Sequence, residues 1–279
     1  MDAKDILNDA SRMADSLNSQ VTVNPDNAIE LLELERITID SDFEGPQVCL
    51  SIVDGSQNAI IGTLGNFSLV IGKAKSRKTF FVSIAVAAAV KNDIVLNKVR
   101  GILPATNGTV LYFDTEQGKY HVQQVLKRIC ANSGINNPTQ LRMYGIRKYI
   151  PSERLLLIEE AIYRTDGVGL VIIDGIRDLI TSINDEEQAT SIASKLLKWT
   201  EERNIHIVCV LHMNKGDTNA RGHLGTELQN KAESVLSIRK DEKQRENSIV
   251  EAEYCREKDF SPFAFTINEI GIPEIDKEY

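Results

Sequence analysis

Cysteine and tryptophan are scarce in this sequence, and long apolar runs are missing. The 279 residues include four cysteines and one tryptophan. The cysteines are far apart and form no C-x-x-C pair, which predicts buried free thiols in a reducing compartment rather than disulfides or a zinc site. They are Cys49, Cys130, Cys209 and Cys255. No apolar run approaches the ~20 residues of a membrane span, and the acidic start at residues 1–5 is unlike a signal peptide. We therefore expect a cytoplasmic protein without a membrane partner.

Positive charge is also in deficit. The chain has 32 Lys and Arg against 40 Asp and Glu, giving a net charge of −8. General nucleic-acid binders are more often basic, so a polyanion would have to meet a local basic patch here. Hydrophobic residues make up 42% of the chain, which is ample for one large α/β core.

The first 45 residues differ from the rest. They are polar and acidic, with apolar residues at helical spacing. The apolar stripe is narrow, which favours a helical arm that packs on its own core or on a neighbour over an independent domain. We predict an N-terminal helical arm over residues 1–45 and a nucleotide-binding domain over residues 46–279.

From residue 46 onward, apolar strands alternate with amphipathic helices, which predicts a mostly parallel sheet covered by helices on both faces. A strand pair, 48–53 and 59–63, comes first. The later predicted strands are 109–113, 141–144, 169–173 and 205–211, and the predicted helices are 80–90, 119–131, 152–164 and 186–202. The segments 232–239, 248–254 and 263–267 have few helices between them, so we expect antiparallel hairpins at the C-terminal edge of the sheet.

The most informative segment is a strand, a short basic loop and a helix. The apolar run from Phe67 ends at Gly72, and the loop closes on Lys78-Thr79. This is the layout of a P-loop, G-x-x-x-x-G-K-[ST], in which backbone N–H groups and a helix N-terminus hold the phosphates of ATP. The predicted ATP-binding residues are Gly72, Lys73, Ala74, Lys75, Ser76, Arg77, Lys78 and Thr79. Arg77 stands where the motif has its second glycine, and a side chain there is tolerated if it points outward.

Two further strands end in acidic residues. The strand 169–173 leads into Asp174, the Walker B pattern, which with Thr79 predicts a Mg²⁺ site. Alone the pattern is weak, since many strands end in a capping aspartate. The strand 109–113 leads into Asp114-Thr115-Glu116. Glu116 is our candidate for the base that activates the attacking water, and capping of the following helix is the alternative.

These three strands together resemble the RecA-like ATPases, most of all the hexameric replicative helicases of the plasmid RepA type and their KaiC and RadA relatives. The glutamate after the second strand distinguishes this group from the AAA+ proteins, whose acid usually follows Walker B directly. Gly175 follows Asp174 here, in agreement. The resemblance implies a RecA-like fold, ATP and Mg²⁺ as ligands, and ATP hydrolysis.

The resemblance extends over roughly residues 66–267 and implies further roles. His212, at a strand end, matches the histidine that senses the γ-phosphate. Lys215, Arg221 and His223 fall in the segment that faces the central channel for single-stranded DNA in that group. Arg256 and Lys258 loosely match the basic fingers that reach a neighbour's nucleotide, which implies a hexamer or another ring or filament.

The leading functional hypothesis is an ATP-dependent, helicase-type motor in replication or mobilisation of a bacterial mobile element, with other replication or mobilisation proteins as partners. Two alternatives stay open. A protein with Arg77 in its P-loop can bind nucleotide without efficient turnover and serve regulation or assembly. A RadA- or KaiC-like ATPase in recombination or signalling is the other.

Overall fold

We describe residues 23–213, 222–277 and 279 of a computed structural model. Contacts between residues divide the chain into one unit that ends at Gly45 and another that begins at Pro46. The described part of the first unit contains the helix α1 (Ala28–Leu34). Among the described helices, none is long and apolar enough to cross a membrane.

The second unit is an α/β fold. Its strands are β1 (Val48–Asp54), β2 (Gln57–Thr63), β3 (Phe67–Gly72), β4 (Ile94–Val95), β5 (Val99–Gly101), β6 (Thr109–Asp114), β7 (Leu141–Gly145), β8 (Val168–Asp174), β9 (His206–His212), β10 (Ser234–Lys240), β11 (Ser248–Cys255), β12 (Phe263–Ile267) and β13 (Pro273–Ile275). Its helices are α2 (Lys78–Lys91), α3 (Lys119–Ser133), α4 (Pro151–Arg164), α5 (Glu186–Arg203) and α6 (Gly222–Lys231), with 3-10 helices at Ala105–Asn107 and Ile176–Leu179.

The central sheet has nine strands in the order β13-β12-β11-β10-β3-β9-β8-β6-β7. The pairs from β10 to β7 are parallel, and β11, β12 and β13 join as antiparallel strands. This confirms the predicted fold class, a mostly parallel RecA-like sheet with antiparallel strands at one edge. The expected antiparallel pairing of β10 with β11 is present, and β10 also pairs in parallel with β3, which joins the hairpin to the parallel strands.

A second, four-stranded antiparallel sheet has the order β2-β1-β5-β4. The predicted pairing of β1 with β2 is confirmed, whereas β4 and β5 were not expected because they are only two and three residues long. Helix α2 packs against β5 so closely that a Cβ on Gly101 would lie 2.4 Å from the Ala88 carbonyl. The alanine-rich sequence of α2 therefore reflects burial on nearly all sides.

Two apolar clusters cover the faces of the main sheet. One contains α2 and inward residues of α3, and the other contains α4, α5 and the buried Trp199. Helix α6 was not predicted from the sequence. Cys49 and Cys209 are buried as expected and Cys130 and Cys255 only partly, and all four are free thiols.

Candidate functional site

The carboxyl ends of the parallel strands lie side by side, and the predicted nucleotide-binding residues meet there. Gly72 ends β3 and pairs with His212 at the end of β9. Asp174 ends β8 and pairs with Asp114 at the end of β6. In open parallel sheets, ligands bind at the carboxyl ends of the strands because strand ends and helix N-termini converge there.

The loop between β3 and α2 is shaped by close contacts. A Cβ on Gly72 would lie 2.3 Å from the Ile238 carbonyl oxygen and 2.7 Å from Ser76 Oγ, so only glycine fits. Lys73, Ala74 and Lys75 are exposed, whereas Ser76 is buried. Within the described part of the chain, the Ser76 hydroxyl has no hydrogen-bond partner. A buried hydroxyl without a partner in such a loop suits a phosphate oxygen.

Arg77 adopts a left-handed backbone conformation, with φ of +74°. Such a conformation costs a residue with a Cβ roughly 1–2 kcal/mol, which explains why glycine is usual at this position of the motif. The guanidinium donates a hydrogen bond to the Glu246 carbonyl, in the turn that joins β10 to β11. The side chain therefore points outward to this turn, and it does not occupy the position of the Lys78 ammonium group.

Lys78 is almost completely buried at the centre of the site. Its Nζ donates hydrogen bonds to the carbonyls of Gly72 (2.9 Å) and Lys73 (3.2 Å), and it lies 3.0 Å from His212 Nδ1. An ammonium group has donors only, so Nδ1 of His212 must accept and the imidazole proton lies on Nε2. Burial lowers the pKa of Lys78 to about 8, against the opposing effect of the Asp174 and Glu116 carboxylates.

The imidazole of His212 also faces Glu116. His212 Nε2 lies 3.6 Å from Glu116 Oε1. The contact with His212 lowers the pKa of Glu116, and the positive charges of Lys78 and Arg177 add to this effect. Glu116 is therefore ionised at neutral pH and half exposed, as a proton acceptor for water must be.

Asp174 is buried beside the start of α2. Its Oδ2 accepts hydrogen bonds from Thr79 Oγ1 (2.9 Å) and from the Tyr112 hydroxyl (2.8 Å). Burial raises the pKa of Asp174 to about 6, and the negative charge of Asp114 adds to the rise. A hydroxyl and a carboxylate so placed fit Mg²⁺, which takes one or two protein oxygens, waters and phosphate oxygens as ligands.

Several residues that hold Glu116 in place were missed by the sequence prediction. Asp114 accepts hydrogen bonds from the backbone N–H groups of Glu116 (3.0 Å) and Gln117 (2.7 Å). Gly175, with φ of +108°, leaves no room for a side chain, because a Cβ would lie 2.2 Å from Thr115 Oγ1 and 3.0 Å from Glu116 Cγ. The position of Asp114 at the end of a predicted strand could have indicated its role, but only the fold brings Gly175 against Glu116.

The remaining predicted residues lie elsewhere. Lys215 and Arg221 are outside the described residues. His223 is in helix α6, half exposed, with Nδ1 3.5 Å from Glu186 Oε1. Arg256 contacts Asn66 and the buried Glu233, and Lys258 donates a hydrogen bond to Gln57. β11 runs antiparallel to β10, so its C-terminal end lies beside the N-terminal ends of β10 and β3. Arg256 and Lys258 follow β11 and therefore lie at the other end of the strands from their own P-loop.

Comparison with solved structures supports the fold. Among solved structures with a similar fold, a KaiC-like protein of the hyperthermophilic archaeon Pyrococcus horikoshii OT3 has a TM-score of 0.54 and 13% sequence identity. The match covers 77% of this chain and 90% of that chain. A search of the curated proteins found no match.

A family model described as AAA domain matches residues 56–218, from the turn before β2 to the segment after β9. The matched range includes the P-loop, Glu116, Asp174 and His212. With a RecA-like fold and these P-loop, Walker B and glutamate positions, the chain is a nucleotide-binding P-loop ATPase, and it belongs to this AAA-domain family.

Proposed function

We propose that this ATPase is a DNA-dependent motor of the helicase type, working in replication or mobilisation of a bacterial element. The observation that supports this best is the chain of contacts Lys78–His212–Glu116 at the end of β9. Only Met213 separates His212 from the 214–221 segment that carries Lys215 and Arg221. A change at the phosphate-binding lysine would therefore act directly on the strand end that leads into this segment.

The residues of the site divide the chemistry of hydrolysis between them. Lys78 binds the β- and γ-phosphates, which replace its contacts to the Gly72 and Lys73 carbonyls. Mg²⁺ at Thr79 and Asp174 would neutralise charge on the phosphates. Glu116 accepts the proton of the attacking water, and Asp114 fixes the backbone from which Glu116 projects. His212 senses the nucleotide through its contacts with both Lys78 and Glu116.

Arg256 and Lys258 support an assembly. A β-strand rises about 3.3 Å per residue, so the six-residue length of β3 separates Arg256 and Lys258 from their own P-loop. Basic fingers at these positions would therefore act on the nucleotide of another subunit. We propose a hexamer or another ring or filament, in which a basic finger contributes about 10³ to 10⁵ in rate.

The decisive experiment is steady-state ATP hydrolysis with and without single-stranded DNA. We expect DNA to stimulate turnover of the wild-type protein, with binding that is insensitive to sequence and falls with salt. The Lys215→Glu/Arg221→Glu variant should keep the basal rate and lose the stimulation. The motor proposal would be refuted if DNA left the wild-type rate of ATP hydrolysis unchanged, or if DNA stimulated the double variant as much as the wild type.

The second candidate is a regulatory or assembly protein that binds nucleotide and scarcely hydrolyses it. The strained Arg77 in the P-loop favours this candidate. The same measurement separates the two, because a protein of this kind would bind Mg-ATP tightly and show no turnover under any condition. A recombination or signalling role like that of RadA or KaiC would give turnover without strand separation.

A further inference from the structure

One stretch of the chain is positively charged, although the chain as a whole is acidic. Residues 117–152 contain six Lys and Arg and no Asp or Glu, in a protein with 40 acidic residues and a net charge of −8. They also contain three of the seven tyrosines. Such a local excess of cations with aromatic rings is the composition of a surface that binds a polyanion with stackable groups.

The fold gathers part of this stretch at the free edge of the main sheet. β7 is the outermost strand and pairs with β6 alone among the described strands. The Tyr144 ring stacks on Phe113 with 5.3 Å between ring centroids, and 37% of the tyrosine remains exposed. Arg142 is two residues earlier, so it lies on the same face of β7, and it is exposed.

The start of α3 lies on the other face of β7, because α3 packs with Leu141 and Met143 in one apolar cluster, whereas Phe113, on which Tyr144 stacks, belongs to the cluster on the opposite face. A methyl group on Gly145 would lie 3.9 Å from Lys119 Cγ, so the lysine stem covers the end of β7. Tyr120 follows with 69% of its surface exposed. The loop after β7 is held there by the Ile146 N–H, which donates to the Asp114 carbonyl at 2.9 Å.

That loop carries two more exposed cations, Arg147 and Lys148. Arg154 anchors it by donating a hydrogen bond to the Arg147 carbonyl at 2.8 Å. We call this margin of the sheet, which includes residues on both faces of β7, the basic edge; it is defined by Lys119, Tyr120, Arg142, Tyr144, Arg147 and Lys148.

The four cations of the basic edge are not neutralised within the described part of the protein. Carboxylates near this edge already have other partners there. Glu116 contacts His212, Glu153 accepts the Ile150 N–H, and Asp178 faces Arg154 at 3.9 Å. The uncompensated charge is therefore available to an external anion.

We propose that the basic edge binds single-stranded nucleic acid. Its cations neutralise backbone phosphates, and Tyr120 and Tyr144 offer ring faces on which bases stack. Two exposed tyrosines among cations that form no ion pair with the described residues favour this ligand over an acidic polypeptide, which has no bases, and over a duplex, whose bases are already stacked. The proposal goes beyond the motor function above, because it concerns another surface and requires neither nucleotide nor the segment 214–221.

The test is fluorescence anisotropy of a 30-nucleotide oligo-dT labelled with fluorescein, in low salt and without nucleotide. The Arg142→Glu/Arg147→Glu/Lys148→Glu variant should bind at least about tenfold more weakly, because three phosphate contacts become repulsive. The matched control, Lys240→Glu/Lys243→Glu/Arg245→Glu, makes the same change in charge on exposed residues of the β10–β11 hairpin. The control should bind within about twofold of wild type. Unchanged binding by the first variant, or equal losses in both, overturns the proposal.

A second pair of variants isolates stacking. Tyr120→Ala should weaken binding by about fivefold or more, as expected for loss of one base stack, whereas Tyr120→Phe keeps the ring and the affinity. Equal affinity of the two variants, or competition by polyglutamate as effective as that by unlabelled oligo-dT, would assign the surface to a different partner. Mg-ATP affinity serves as the folding control, since failure of the nucleotide site would change it and failure of the basic edge would not.

Discussion

The Nζ atom of Lys78 lies 3.0 Å from Nδ1 of His212, although 134 residues separate them in the chain. The contact fixes the tautomer of the imidazole and directs its other nitrogen to Glu116. Three side chains from α2, β9 and the end of β6 are thereby joined into one chain of contacts. This arrangement gives the site its specific, testable properties.

Lys78→Ala should abolish detectable ATP binding. The buried ammonium group is the cation that would contact the β- and γ-phosphates, and each hydrogen bond to a charged group contributes roughly 1.5–3 kcal/mol. Isothermal titration calorimetry with Mg-ATP checks the prediction. Thermal unfolding should show a folded variant, and unchanged affinity would mean that the pocket is assigned to the wrong loop.

Glu116→Gln should bind ATP normally and hydrolyse it at least ~10²-fold more slowly, the usual contribution of a positioned base. The amide keeps the shape of the side chain and removes its ability to accept a proton. Single-turnover hydrolysis with radiolabelled ATP measures this step. A fully active variant would show that Glu116 is not the base, and the structure gives it no capping role to fall back on, because the N-cap of α3 is Gly118 with no side-chain cap hydrogen bond.

Arg77→Gly should leave turnover nearly unchanged, because the guanidinium points to the Glu246 carbonyl and not into the site. Glycine relieves the left-handed strain but loses the contact with the β10–β11 turn, so the two effects oppose each other. The comparison of kcat and KM with wild type checks this. A large gain in ATPase activity would show that the natural arginine weakens the enzyme and would favour the non-motor function.

Gly175→Ala should slow hydrolysis at least about tenfold with little loss of ATP affinity. The new methyl group would lie 2.2 Å from Thr115 Oγ1, so the segment that carries Glu116 must move. A displacement of about 1 Å at a reacting group can cost ~10²-fold in rate. A KM close to wild type with reduced kcat is expected. Unaltered kcat would show that the segment adapts and that Gly175 does not position Glu116.

ATP affinity should depend on pH with a maximum between about 6 and about 8. The pKa of Asp174 is raised to about 6, so its carboxylate, needed for Mg²⁺, is lost as the pH falls below that value. The pKa of Lys78 is lowered to about 8, so its positive charge is lost as the pH rises above it. Titration of a fluorescent ATP analogue from pH 5 to 9 measures both limbs. With EDTA in place of Mg²⁺, the acid limb should shrink to the part set by protonation of ATP itself, and the alkaline limb should remain; an acid limb as large as that with Mg²⁺ would mean that Asp174 does not act through the metal.

The sequence by itself determined the strand–loop–helix layout from Phe67 into α2, the acidic ends of β6 and β8, and the parallel core, because hydrophobic periodicity and turn residues act locally. It could not determine the short strands β4 and β5, which are stable only through packing on α2, or the parallel pairing of β10 with β3. Nor could it place Gly175 against Glu116 or direct Arg77 to Glu246. Those relationships join residues that are distant in the chain, and only the packing of the strands side by side brings them together.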